Sequence, residues 1–317
     1  MKQLVILSGK GGTGKTSVAA AFAHLAHEYG VQAVLADADV DAANLELVLQ
    51  PQKLGNHDFI GGSVAVIDPD LCQGCGICEQ ICRFEAILLQ PPAPSPRIGR
   101  GVERGAGYSV DSIACDGCAA CVYQCPEGAI HMQPQIVGQW YRSESRYGPL
   151  FHAELRPAQE NSGKLVTLVK QQARLLGLDT GAELIIVDGP PGIGCPVISA
   201  ASGADLALIV TEPTTAGIHD MQRVLQLSDH FRLPALVCIN KANLYPEGLH
   251  QIEFYCFQNR IGIAGSIPFD QTITRAMVLG EPVTAYAPDA PASQAIARVW
   301  RSVTVRLSGG EGDNERS

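Results

Sequence analysis

Two groups of residues in this 317-residue chain have types and spacing that could do chemistry. The first is a pair of cysteine runs. Cys72, Cys75, Cys78 and Cys82 follow C-x2-C-x2-C-x3-C, and Cys115, Cys118, Cys121 and Cys125 repeat that spacing, with Pro126 next. The runs lie in CQGCGICEQICRFEAI and CDGCAACVYQCPEGAI, which align without gaps, each cysteine 43 positions before its counterpart (115 − 72 = 43). Three thiolates within seven residues can wrap three irons of one cubane. A tetrahedral zinc site is the alternative, but it usually pairs two C-x2-C knuckles and has no use for the third close cysteine. The second group is SGKGGTGKT, Ser8 to Thr16. Gly9, Gly14, Lys15 and Thr16 satisfy G-x-x-x-x-G-K-[ST], a loop whose N–H groups cradle phosphates. Its lysine reaches the β and γ phosphates, and its hydroxyl binds Mg²⁺.

The elements around these groups must hold them in place. The apolar run QLVILS precedes the glycine loop, and TSVAAAFAHLAHEYG follows it with helical spacing, so the loop joins a strand to a helix N-terminus that adds partial positive charge. VQAVLADAD, ELIIVDGPPG, DLALIVTEP, ALVCIN and IGIAGSIP read as further buried strands. DMQRVLQLSDHF, PEGLHQIEFYCFQNR and ASQAIARVWRSVTV read as helices between or after them, and a capped helix runs from Ser162 to Gly177, with Lys164 on its surface. Strands alternating with helices predict an α/β fold with a mostly parallel, doubly wound sheet. The cysteine region breaks that rhythm. The expected division is residues 1–55 and 135–308 for the nucleotide-binding domain, 56–134 for an inserted module, and 309–317 for a disordered tail, with the proline-rich QPPAPSPRIGRG as a loop.

Composition narrows the function classes. Hydrophobic residues make up 46% and charged residues 17%, as expected for a large globular core. The net charge of −9 argues against nucleic acid as a partner, since phosphate contacts need Lys and Arg. No apolar run reaches the length of a membrane span. MKQLVILSGKGG does not read as a signal peptide, so the expected location is cytoplasmic, and in that reducing compartment grouped cysteines bind metal more often than they form disulfides.

With its early lysine, GKGGTGKT resembles the deviant Walker A loop of the MinD/ParA/nitrogenase-iron-protein class of P-loop ATPases. Together with the cysteines, the chain resembles members of that superfamily carrying an inserted two-cluster ferredoxin domain. The resemblance implies that Lys10 reaches across a dimer interface to the partner's nucleotide, which explains a second lysine beside Lys15. It implies an ATP and Mg²⁺ site built from Gly9, Lys10, Gly11, Gly12, Thr13, Gly14, Lys15, Thr16 and Ser17. LADADVDAANLEL resembles switch I, with Asp39 positioning the attacking water and Asp37 near the metal. LIIVDGPPGIG resembles Walker B and switch II, with Asp188 holding Mg²⁺ through water and Gly189 to Gly192 sensing the γ phosphate. NKAN, Asn240 to Asn243, resembles a guanine motif without its final aspartate, so adenine is favoured, flanked by Asn240 and by Pro268 to Asp270.

In the bacterial two-cluster ferredoxin pattern the fourth cysteine of each run ligates the other cluster. One [4Fe–4S] cluster is therefore assigned to Cys72, Cys75, Cys78 and Cys125, and the second to Cys115, Cys118, Cys121 and Cys82. Arg83 departs from the pattern, standing where proline normally follows. Cys195 lies where the nitrogenase iron protein has a cluster ligand, but no second cysteine occurs between Leu155 and Val187, so it reads as a buried small hydrophobe near the switch. Cys238 and Cys256 read as core. The functional expectation is an ATPase whose nucleotide-dependent homodimer, or heterodimer with a similar chain, governs electron transfer through two clusters to a redox partner protein. An ATP-dependent iron–sulfur carrier is the alternative. A MinD-like membrane-positioning protein is the third reading, against which the weakly amphipathic last helix and acidic tail count.

Overall fold

The structure is a computed structural model that describes residues 1–90, 107–156 and 162–309. Most of the expected proline-rich loop and the tail beyond residue 309 lie outside the described residues. The described chain forms two compact units: residues 1–57, 139–154 and 162–309, and residues 58–90, 107–138 and 155–156.

Along the chain come β1 (Lys2–Ser8), α1 (Lys15–Glu28), β2 (Ala33–Asp37), α2 (Leu45–Leu49) and β3 (Gln52–Ile67). Then follow α3 (Ile77–Ile81), β4 (Ile87–Gln90), β5 (Gly107–Val110), α4 (Ala120–Gln124), β6 (Ile130–Ser145) and β7 (Gly148–Leu155). The C-terminal half alternates strictly: α5 (Ser162–Thr180), β8 (Leu184–Pro191), α6 (Cys195–Ala201), β9 (Leu206–Thr211), α7 (Thr215–His230), β10 (Ala235–Asn240), α8 (Pro246–Gln258) and β11 (Gly262–Ile267). Three helices, α9 (Gln271–Val278), α10 (Val283–Tyr286) and α11 (Pro291–Leu307), close it.

The main sheet has the order β11-β10-β9-β1-β8-β2-β7-β6-β3. Its centre is parallel, as the expected architecture requires: β1 pairs with β8 and β9, and β2 with β8 and β7. Strands β1, β2, β8 and β9 are buried almost throughout, which explains their continuous apolar runs. Helix α1 lies over the sheet on its alanines, small enough for close approach, and Phe22 meets Trp300 of α11 edge-on at 5.0 Å. The sequence reading missed β3, β6 and β7. Both β3 and β6 are 16 residues long, mix polar with apolar residues and bury few of them fully, so neither carries the unbroken apolar run that marked the others.

In the first unit His152 on β7 is fully buried. Its Nε2 lies 3.0 Å from Ser143 Oγ, and its Nδ1 lies 3.2 Å from Glu46 Oε2 without hydrogen-bond alignment. Burial, with the Lys53 charge adding to it, outweighs the pull of Glu154 and brings the imidazole pKa down to about 4. An unfolded chain takes up this proton near 6.5. The folded chain therefore keeps its full stability above that pH and loses it as pH falls towards 4, by at most about 3 kcal/mol. Chemical denaturation across this window should show the loss, and His152→Gln should flatten it. Equal acid losses in both proteins would reject the assignment.

Candidate functional site

The glycine loop leaves the C-terminal end of β1 and enters α1, with Gly12 and Gly14 in left-handed conformations at φ 77° and 91°. Gly14 is required twice over, because a Cβ there would also lie 2.3 Å from Asn240 Nδ2. That amide donates to Thr13 O at 2.7 Å and, through its oxygen, accepts from Lys241 N at 2.9 Å. Lys241 Nζ donates to Gly12 O at 3.1 Å. Two successive loop carbonyls are thus held outward. Peptide planarity then turns the N–H groups of Thr13 and Gly14 to the opposite side, the concave face that suits an anion.

Acids and a cation meet at the strand ends. Asp37 and Asp188 are partners across the β2–β8 pair, and both are buried. Asp37 Oδ1 accepts from Asp39 N at 3.1 Å and Oδ2 from Leu45 N at 2.9 Å. Burial and the neighbouring Asp188 raise its pKa well above the usual carboxylate range. Neither Asp188 oxygen has a hydrogen-bond partner. Lys15 Nζ stands 3.6 Å from Asp188 Oδ1, an ion pair too long for a hydrogen bond, and 3.9 Å from Asp39 Oδ2. Burial, helped by Asp188 and Asp41 and opposed by Lys15, raises the Asp39 pKa to about 6. Buried carboxylate oxygens without donors are costly unless charge is supplied to them. Asp188 therefore fits a divalent cation beside Lys15, and its oxygens, unlike those of Asp37, are free for one.

Other expected site residues have duties of their own. Ser17 Oγ donates to Met277 Sδ at 3.0 Å, so its hydroxyl serves packing of α1 on α9. Asp270 caps α9 through Thr272 N at 2.9 Å, and Asn243 Oδ1 accepts from Phe269 N at 2.7 Å, which ties NKAN to the Pro268–Asp270 loop. Gly192 N donates to Ser8 O at 2.9 Å, bringing the end of β8 against the start of the glycine loop. Cys195, expected to be buried, is instead exposed, because it is the first residue of α6. Cys238 and Cys256 are buried.

Three residues of this region escaped sequence reading. Glu212, just after β9, forms an ion pair with Lys10 and accepts from Lys241 Nζ at 2.9 Å. Lys241 stood inside a quoted motif without a role. Lys170 of α5 donates to Ser199 O, Ala200 O and Ser202 O at 2.7, 2.7 and 2.6 Å, capping α6. Only the position of Glu212, an acid directly after a buried strand, offered a signal.

The second unit reproduces the sequence repeat in three dimensions. Helices α3 and α4 lie 43 residues apart and end identically, Cys82 at φ −73°, ψ 108° and Cys125 at φ −74°, ψ 113°. Ala86 N donates to Cys82 Sγ and Ala129 N to Cys125 Sγ, each at 3.4 Å. The repeats are also tied reciprocally, Asp68 N to Ala129 O at 2.7 Å and Asp111 N to Ala86 O at 2.8 Å. Left-handed Gly74, Gly76 and Gly117 turn the cysteine loops, and Ala119 at φ 61° stands where the first repeat has Gly76. Cys72, Cys75, Cys78 and Cys125 line one cavity, and Cys82, Cys115, Cys118 and Cys121 another. Burial pushes the Cys78 and Cys121 thiols up, with Cys72 and Cys75 adding to the first and Cys115, Cys118 and Cys82 to the second. Among the described residues no three His, Cys, Asp or Glu side chains converge on a single-ion position. A four-iron cluster does not need them to, because each thiolate binds a different iron.

A buried parallel sheet, a strand–glycine loop–helix turn and acids at the neighbouring strand ends define a P-loop nucleotide-binding protein. The chain belongs to the CobQ/CobB/MinD/ParA nucleotide-binding family, whose profile matches residues 4–283. It is an ATP-binding ATPase of the MinD/ParA type. An uncharacterized protein of Methanocaldococcus jannaschii is 35% identical over 269 residues, 84% of this chain and 84% of its own length. An iron–sulfur cluster carrier protein of Pyrococcus abyssi is 26% identical over 170 residues, covering 49% of this chain and 56% of that one. The septum site-determining protein MinD of Pyrococcus horikoshii, solved with Mg-ADP, shares the fold with a TM-score of 0.56 at 18% identity, covering 97% of both chains. Among the described residues no helix is long and apolar enough to cross a membrane.

Asp188→Asn should abolish Mg²⁺-dependent turnover, lowering kcat by roughly 100-fold or more, since metal stabilisation of the transition state amounts to several kcal/mol. It should also raise the melting temperature of the nucleotide-free protein, because a neutral amide beside Asp37 removes the repulsion. Steady-state ATPase assays and thermal melts read the two effects. A stable variant with normal turnover would remove Asp188 from the site.

Proposed function

We propose that the chain is an ATP-hydrolysing iron–sulfur protein that couples nucleotide-dependent pairing of two subunits to electron transfer. The observation that carries this reading is the lining of the two cavities: each gathers three cysteines of one run and the fourth of the other, as crossed ligation of two [4Fe–4S] clusters requires. Cys72, Cys75, Cys78 and Cys125 hold one cluster and Cys115, Cys118, Cys121 and Cys82 the other. Bound there, the clusters supply one-electron couples within a single small fold, for exchange with a redox partner protein.

The chain's other residues do the nucleotide work. The glycine loop and Thr16 hold the phosphates and Mg²⁺, Asp188 holds the metal from the opposite side, and Asp39 orients the attacking water. Asn240, Pro268 and Asp270 flank the adenine. Lys10 reaches the nucleotide of a second subunit, either another copy or a similar chain. The module at residues 56–134 is the redox part, and the cytoplasm is the compartment that suits it. A second reading, an ATP-dependent iron–sulfur carrier, is favoured by the partial similarity to the Pyrococcus carrier protein. Transfer of the clusters to an apo acceptor separates the two, because crossed ligation retains them. Equal ATPase rates with the clusters oxidised and reduced would reject coupling.

Anaerobically purified protein should contain about eight irons and eight sulfides per chain. Cys72→Ser with Cys125→Ser should leave about four irons, since both changes strike one cluster, whereas Cys72→Ser with Cys82→Ser should strip both. The opposite pattern would show uncrossed ligation, and zinc in place of iron would end the proposal.

A further inference from the structure

Lys10 and Lys241 converge on one carboxylate. Lys10 Nζ pairs with Glu212 Oε1, and Lys241 Nζ donates to Oε2 while also reaching Gly12 O. Glu212 is 12% exposed, and the two lysines about a third. Burial pushes the Glu212 carboxyl up, but the hydrogen bonds and charges of Lys10 and Lys241 outweigh it and hold the group below its usual range. A tight turn delivers this carboxylate. Glu212 O accepts from Thr214 N at 2.8 Å, and a Cβ on Gly217 would lie 2.3 Å from that same oxygen. Thr214 Oγ1 caps α7 through Gly217 N at 3.1 Å, and Thr211 Oγ1 donates to Gly217 O at 2.9 Å. On the other side, Lys241 extends from a left-handed backbone at φ 56°. That conformation costs a non-glycine residue roughly 1–2 kcal/mol and persists only where its surroundings impose it.

The two lysines are bound unequally. Lys241 has a second acceptor in the loop backbone. Among the described residues Lys10 has no second ion-pair partner. If Lys10 leaves, Glu212 remains neutralised by Lys241, so no carboxylate is stranded unpaired in a mostly buried place. If Lys241 left, the outward tether on Gly12 O would go with it. The arrangement is therefore built to release one lysine and keep the other.

We propose that Glu212 is a positioning residue that keeps Lys10 within its own subunit, and that Lys10 is passed to the facing subunit only when a nucleoside triphosphate fills the loop. This rests on the reading of Lys10 as the residue that crosses between subunits. The exchange is one cation moving from a carboxylate to phosphate oxygens, with no proton or electron transferred. Glu212 thereby sets a threshold for pairing: each subunit must give up one internal contact to gain one external contact.

Zero-length carbodiimide coupling, mapped by mass spectrometry on the full-length protein, tests the exchange directly. Without nucleotide, both Lys10–Glu212 and Lys241–Glu212 cross-links should form within one chain. A non-hydrolysable ATP analogue should remove the first and leave the second. Sedimentation velocity with the same analogue supplies the second test. Glu212→Gln frees two lysines per pair, each held by a partly buried ion pair of roughly 0.5–1 kcal/mol, so its dimer dissociation constant should fall roughly 5- to 30-fold. A merely structural Glu212 would instead give a lower melting temperature and no gain in pairing. A Lys10–Glu212 cross-link persisting in the analogue-bound dimer would overturn the proposal, as would a folded Glu212→Gln protein that pairs no better than the parent. Lys10→Ala separates this failure from that of the underlying reading. If it pairs normally, Lys10 does not cross between subunits at all. If it fails to pair while Glu212→Gln is unchanged, Lys10 crosses but Glu212 does not restrain it. Should Glu212→Gln not fold, the cross-links in the unaltered chain decide alone.

Discussion

The nucleotide-binding unit is organised around a charge problem at the ends of β2 and β8. In-register parallel pairing sets Asp37 directly opposite Asp188, two carboxylates away from water. Such a pair is tolerable only if protons, backbone donors or cations neutralise it. The protein uses all three kinds of relief. Asp37 takes two backbone N–H groups and a raised pKa, Lys15 comes within ion-pair range of Asp188, and the unmet oxygens of Asp188 suit a metal. The glycine loop has to return across the strand ends because its lysine is needed there. Once it does, its concave face lies where a helix N-terminus already favours anions. A cation beside Asp188 and an anion on the loop's concave face would complete that electrostatic arrangement.

A second layer keeps that loop in shape. Asn240 and Lys241 grip consecutive carbonyls from outside, and Gly14 is the residue whose missing Cβ lets Asn240 approach. These contacts join the end of β10 to the start of α1, 227 residues away in sequence. The helices contribute in the same manner: Asp270 and Thr214 cap α9 and α7 and thereby fix the turns that follow Ile267 of β11 and Thr211 of β9.

Much of this was legible in the chain because it is local. The glycine loop, the acid-terminated strands and the cysteine runs are short patterns whose spacing dictates their geometry, and the buried parallel strands appear as unbroken apolar runs. Residues that act over long sequence distances were silent. Glu212 acquires its meaning only when β9 and the loop are neighbours, and nothing near Lys170 in sequence shows that it will cap α6. Asn240 was read for the base, yet its amide is engaged by Thr13 O and Lys241 N, a duty visible only once β10 stands beside the loop. β3 and β6 were missed for a different reason. They are long and mix polar with apolar residues, so the periodicity that finds buried strands passes over them.

The cysteine repeats are fastened to each other by main-chain bonds, Asp68 to Ala129 and Asp111 to Ala86, to which Tyr108–Glu79 and Gln90–Ser109 add side-chain bonds. The main-chain bonds do not depend on which side chains the module carries, so the separation of its two cavities is set largely by the backbone. Substitutions on the module's surface can alter the charge or polarity around either cavity, but they leave that interval alone. The repeat acts as a spacer between two cysteine-lined cavities, and evolution can retune the surroundings of each without changing the interval between them.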